Sequence, residues 1–326
     1  MDNKAYIELL QENYDKVVNG LSWTVDKRII LMLASHYSAA GKTFSFTSFD
    51  EIVKEIKGQT SWFSTLRTSS SLLYGVAMLL DGKKEPQQAV TELIENEEIL
   101  KQAKFKRSVY SYISALFLTD DSKQKQTHAE SARKLYTAIR KHHPFLTSYE
   151  DMPYSVLLSS EEDENLEHRA QTMNRYYTEL RKHHFVLGNQ LQWLSQILTF
   201  PSADYVEKMV PYVVQIRDEF VQRNVKVKQE HYPLFGFLAV AGAKTEHIDQ
   251  IVALYEELTE VKRFRWYKSM VLHMALQKVL HEFAHLDDSL DMSMITNLEM
   301  LIQAEQALVT TTTLAAVAAA SNTSGE

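Results

Sequence analysis

Apolar and aromatic side chains recur three and four positions apart through most of the chain, the spacing of a buried stripe on a helix of 3.6 residues per turn. "ARKLYTAIRKHHPF" and "MNRYYTELRKHHF" show it, and so do "LTSYEDMPYSVLLSS" and "NQLQWLSQILTF". A longer period is laid over the short one. Phe105, Phe145, Phe185, Val225 and Phe264 mark a recurring join at steps of 40, 40, 40 and 39 residues. Tyr136, Tyr176 and Tyr255 stand nine residues before three of these marks, and Leu118, Leu158, Leu198 and Leu238 stand thirteen after four of them. Each unit therefore reads as two amphipathic helices around one join. Such a hairpin cannot bury both apolar faces alone, so its neighbours must stack on it.

The expected fold is all-α, built of stacked helical hairpins with a period of about 40 residues, an α-solenoid-like array. A compact helical bundle or a closed α/α ring of the same hairpins is the alternative. We expect a single helical-repeat domain over 1–326, with an N-terminal helical cap at 1–45, hairpin repeats at 46–286, and a C-terminal helix with an Ala/Thr-rich tail at 287–326. "SSLLYGVAMLL" fits the second helix of an early, divergent unit. Ser148-Tyr149-Glu150-Asp151 offers a capping-box start, with Pro153 tolerated in the first turn, and Ser48-Phe49-Asp50-Glu51 offers another. The polar joins "DGKKEPQQ", "TDDSKQKQ" and "SSEEDENLE" separate units, and the acidic run Glu161-Glu162-Asp163-Glu164 reads as a solvated lead into a helix N-terminus.

Composition narrows the class. Only 9 Gly and 6 Pro interrupt the 326 residues, so long helices are the expected filling, and glycine-rich phosphate loops and nucleophile elbows are disfavoured. The absence of cysteine excludes disulfides, thiol nucleophiles and Cys-ligated metals. "MDNKAYIELLQENYDK" is polar and acidic, without the apolar core of a signal peptide, and a cytoplasmic location is expected. A formal charge of −7 speaks against nucleic acid or an anionic membrane as the main partner.

Several stretches carry a resemblance: "HHPFLTSYEDMPYSVLLS", "GNQLQWLSQILTF", "HYPLFGFLAV", "FRWYKSMVLHMA" and the tail "LIQAEQALVTTTTLAAVAAAS". In this order they resemble an uncharacterised family of bacterial proteins, mostly from Gram-positive Firmicutes, a domain of unknown function. The resemblance runs from about "ILMLASHYSAAGKTFSF" to the tail. It implies one family-length unit of bacterial, cytoplasmic origin and brings no activity with it.

Two constellations can carry chemistry. His281-Glu282-Phe283-Ala284-His285 has the spacing with which two imidazoles on one helix face hold Zn²⁺ while the glutamate activates a water. Glu305, twenty residues beyond His285, stands where thermolysin-like peptidases place a third ligand, though Leu301 replaces the Asn or Glu those enzymes usually carry four residues earlier. Asp287, Asp288 and Asp291 are alternative carboxylates. The ordinary reading of the same stretch is the last turn of a helix, where imidazolium suits the negative end of the dipole.

The second constellation is a basic ridge just before the joins: Lys104, Arg140-Lys141-His142-His143, Arg181-Lys182-His183-His184, Arg223 and Lys262-Arg263. Stacking would align these residues as an anion or partner surface; the ordinary reading is that each complements its own helix dipole. His142 and His143 are adjacent, about 100° apart on a helix, and poorly placed to share an ion. Trp193 and Trp266 read as core packing.

The uncharged stretch from Gln306 to Ser321 is shorter than the ~20 residues of a membrane span. It is expected to cap the array or to pair protomers in a homo-oligomer. The leading functional expectation is a non-enzymatic scaffold for a protein or peptide, without cofactor. A zinc-dependent metallohydrolase is the alternative.

Overall fold

The structure, a computed structural model, describes residues 1–21, 25–159, 165–284, 300–301 and 303–304. Among them the chain is all-α, with fifteen α-helices, two short 3-10 turns and no strand. In chain order the helices are α1 (Asn3–Gly20), α2 (Lys27–Ala39), α3 (Phe46–Gln59), α4 (Thr65–Thr68), α5 (Ser70–Leu80), α6 (Pro86–Gln102), α7 (Val109–Ala115) and α8 (Lys125–His142). They continue as α9 (Met152–Leu157), α10 (Leu166–Lys182), α11 (Asn189–Ile197), α12 (Met209–Gln222), α13 (Tyr232–Val240), α14 (Thr245–Glu260) and α15 (Lys268–Ala284). The acidic run Glu161–Glu164 and the Ala/Thr-rich tail lie outside the described residues. The chain divides into two compact units, one comprising Met1–Glu92, Leu254–His281 and Glu299–Glu326, the other Leu93–Ala253 and Glu282–Leu298.

The first unit is assembled from segments far apart in sequence. Asp2 caps α1 by accepting the Ala5 N–H at 2.8 Å. The α1 face carrying Tyr6, Leu10, Asn13 and Val17 is buried. Asn13 is satisfied at both ends, donating to Ser38 Oγ (2.8 Å) and the Lys42 carbonyl (2.9 Å) and accepting the Phe44 N–H (2.7 Å). It thus ties α1 to the turn after α2. From the distant segment, Met274 offers its carbonyl to the Tyr6 hydroxyl, Glu257 accepts from Asn3, and Arg263 pairs with Asp15.

In the second unit the helices on either side of the marks contact one another in chain order. The first helices α8, α10 and α12 pack in succession, as do the second helices α7, α9, α11 and α13. Three joins share one helix ending: Lys104, His184 and Asn224 take positive φ. The next residue's N–H then bonds back across the last turn, Phe105 to the Leu100 carbonyl, Phe185 to Leu180 and Val225 to Phe220. This is the left-handed helix stop whose following apolar residue folds under the turn, and Phe105, Phe185 and Val225 are buried by it.

The join at 145 departs from the pattern. Pro144 stands where the left-handed residue is needed, and its ring fixes φ near −65°. The chain turns instead through hydrogen bonds from the Leu146 and Thr147 N–H groups to the His143 carbonyl, and Phe145 is left 99% exposed. It is therefore not the structural equivalent of the other marks. Trp266 also departs from expectation: it is 78% exposed under the Arg265 guanidinium, because Phe264 takes the buried place in that turn. Trp193 is core, stacked on Tyr154 at 6.0 Å. Gly236 allows α13 to press on α11, since a Cβ there would lie 2.7 Å from Leu194 Cδ1.

Candidate functional site

In the second unit the cap residues Ser108, Ser148, Gly188 and Lys228 stand three residues after the marks, and the turns they open are tied together. Ser108 and Ser111 form a reciprocal capping box ahead of α7, and Ser148 and Asp151 form another ahead of α9. One position before Asp151, Glu150 accepts from the Tyr110 hydroxyl at 3.0 Å and from Asn189 Nδ2 at 2.8 Å. A single carboxylate thereby links three successive joins. The next link ties the 185 join to the helix after the 225 join, where the Phe185 and Tyr232 rings meet at 4.8 Å and the Val186 N–H donates to the Tyr232 hydroxyl at 3.2 Å. The four joins at 105, 145, 185 and 225 consequently lie side by side along one edge of this unit.

Beneath the ladder is a buried polar hub. Asp151 is 1% exposed and accepts from the Ser148 N–H (2.8 Å), Gln192 Nε2 (2.9 Å) and Gln196 Nε2 (2.8 Å), and Gln192 also donates to Thr147 Oγ1 at 3.1 Å. Burial pushes its carboxyl up to about 7, against the opposing effect of these donors. The Oε1 atoms of Gln192 and Gln196 find no donor among the described residues. A protonated Asp151 beside a rotated amide would supply one. In the sequence Asp151 reads as a cap alone, and neither glutamine stands out. Their signal was present as two amides four residues apart on the apolar face of α11.

The basic residues fall on this edge and beyond it. Arg140 and Lys141 end α8, Lys182 ends α10 next to Arg181, and Arg223 follows α12, all in the second unit; Lys262 and Arg263 follow α14 in the first. Several are compensated. Lys141 meets Glu167 at 3.1 Å, Lys182 meets Glu179 at 2.7 Å, Arg223 meets Asp249 at 2.7 Å, and Arg263 pairs with Asp15. Among the described residues, Arg140, Arg181 and Lys262 make no ion pair. His143 packs on Tyr177 at 4.6 Å, and its imidazole is held down to about 4, first by burial and then by His142. It is neutral at pH 7 and adds no charge to the ridge. Between these cations stand exposed apolar side chains: Phe145, Tyr149, Val186 and Leu187.

His281 and Glu282 lie in the last turn of α15, both half-buried. His285, Asp287, Asp288, Asp291 and Glu305 lie outside the described residues. Among the described residues there is no group of three or more His, Asp or Glu placed to hold a metal ion, and no helix long and apolar enough to cross a membrane.

The family described as "Protein of unknown function (DUF4003)" matches residues 13–307. The chain is also 28% identical over 325 residues to the "Uncharacterized protein YeaA" of Bacillus subtilis (strain 168), covering 97% of this chain and 95% of that protein. No solved structure matches it. With a match that spans most of its length, the chain belongs to the DUF4003 family of proteins of unknown function.

Proposed function

We propose that this is a non-enzymatic, cytoplasmic helical-repeat scaffold, a stack of hairpins that captures a protein or peptide on the join edge of its second unit. One observation carries the reading: neighbouring joins present Phe145, Val186 and Leu187 to solvent beside Arg140 and Arg181, which carry no ion pair among the described residues. Exposed apolar side chains gathered along one edge mark an interaction surface in a way that singly scattered ones do not. The Ala/Thr-rich tail is assigned in the same reading to capping, or to pairing two protomers.

The test is a photo-crosslinking residue placed at Phe145, with a second at Lys125 as control. A partner captured only from position 145 is purified and rebound to the chain. Binding is expected to fall at least about tenfold on combining Arg140→Glu with Arg181→Glu. Equal capture from both positions, or unchanged binding of the purified partner, overturns the reading.

The zinc-hydrolase alternative keeps one observation in its favour: α15 runs helically through His281 and Glu282, as two imidazoles at that spacing require. About one zinc per chain, lost in His281→Ala, is its expected outcome and is read by metal analysis of untagged protein. Metal-free protein that folds equally with either residue removes it.

A further inference from the structure

The four joins of the second unit differ from the rest of the chain in charge. Segments 104–109, 140–149, 181–189 and 223–229 contain ten Lys or Arg and no Asp or Glu, in a chain of net charge −7. Five of these cations are engaged: Arg107 with buried Glu97, Lys141 with Glu167, Lys182 with Glu179, Arg223 with Asp249 and Lys228 with Glu230. The other five, Lys104, Lys106, Arg140, Arg181 and Lys226, are exposed and make no ion pair among the described residues. Every join supplies at least one.

The apolar groups are distributed unevenly. At the outer joins the marks Phe105 and Val225 are buried and are followed by Lys106 and Lys226. At the inner joins Phe145 is 99% exposed and Leu187 61%. The ladder through Tyr110, Glu150, Asn189 and Tyr232 fixes the order of the joins, so the edge carries free cations alone at its two outer joins and exposed apolar side chains beside Arg140 and Arg181 at its inner two. Packed helices lie about 8–10 Å apart, which sets the edge at roughly 25–30 Å. An extended chain covers that in about eight or nine residues.

Resting on the reading of this edge as a partner surface, we propose that its ligand is a short acidic peptide segment, acidic at both ends with one or two bulky apolar side chains at its centre. Charge complementarity selects the ends, and the exposed Phe145, Val186 and Leu187 select the centre. A single-stranded nucleic acid fits less well, because a chain of net charge −7 repels phosphates and, of the exposed apolar groups here, Val186 and Leu187 offer no ring face for a base. A membrane surface fits less well, because the outer joins carry no exposed apolar tip to insert.

The experiment measures fluorescence anisotropy of the purified full chain with a labelled nine-residue peptide, three Glu at each end and Phe-Leu-Phe between. Parallel probes are the same peptide with Ser-Ser-Ser at its centre, a ten-nucleotide oligouridylate, and phosphatidylserine vesicles. The acidic–apolar peptide is expected to bind at least about tenfold tighter than its Ser version. Phe145→Ser with Leu187→Ser should abolish that difference, and Lys106→Glu with Lys226→Glu should weaken binding and flatten its salt dependence. All four positions are exposed, so the fold is kept. Equal affinity for wild type and both double variants overturns the proposal, as does binding of RNA or vesicles but not peptide through the same residues. Crosslinks from position 145 without peptide binding refute the ligand chemistry alone, whereas loss of both refutes the surface as well.

Discussion

Asp151 shows what one residue can hold in this fold. Its carboxyl is raised by burial, so the folded state keeps a proton that the unfolded chain releases near the ordinary aspartate range. Between about pH 4 and pH 7 the folded state binds more protons, and stability falls as pH rises through that window. His143 works in the opposite direction: its lowered imidazole pKa makes stability fall as pH drops from its ordinary value toward about 4. The Asp151 contribution is therefore read as a difference between wild type and Asp151→Asn. Relative to the variant, wild type should lose a few kcal/mol of unfolding free energy from pH 5 to pH 8 in urea titrations. Parallel curves would show that Asp151 is not protonated in the fold. Neither the burial nor the partners of Asp151 can be read from the local sequence, where Ser148-x-x-Asp151 looks like any helix start. The hub exists because α11, forty residues on, brings two amides to it.

At the scale of elements, the five marks look alike in sequence and are not alike in structure. Phe105, Phe185 and Val225 follow left-handed helix stops and fold inward, whereas Pro144 forbids that stop and turns Phe145 outward. Phe185→Ala should cost about 3–5 kcal/mol through lost burial and a cavity beside Tyr232 and Arg217. Phe145→Ala should stay within about 0.5 kcal/mol of wild type. Thermal unfolding of the two variants checks this directly, and equal losses would mean that both rings are buried. The proline was visible in the sequence, and its steric consequence was the available signal. Trp266 has no such local marker: which aromatic of "FRWY" turns inward depends on the packing that Phe264 finds.

At the scale of the whole molecule, the first unit joins α1 to residues more than 240 positions away, through Asn3 and Glu257, Tyr6 and Met274, and Asp15 and Arg263. The exposed ion pair adds little by itself, at most about 1 kcal/mol. The buried face of Tyr6, Leu10 and Val17 contributes more, because each such side chain is worth about 1.5–3 kcal/mol on burial. Removing residues 1–20 should therefore raise hydrogen exchange in α15 over 268–281 while leaving α10 and α11 protected. Unchanged exchange in α15 would show that α1 is dispensable to that unit.

The sequence by itself determined the all-α class, the spacing of the marks and the exclusion of cysteine chemistry, because helix periodicity, caps and turn residues act over a few neighbouring positions. It also placed the basic residues at helix ends. Only the tertiary structure decided which of those cations make no ion pair among the described residues, which aromatic faces water, that Asp151 is buried, and that α1 closes on residues 254–281. Those outcomes depend on partners tens to hundreds of residues distant, whose approach is set by packing and by the need to satisfy buried polar groups rather than by any local pattern.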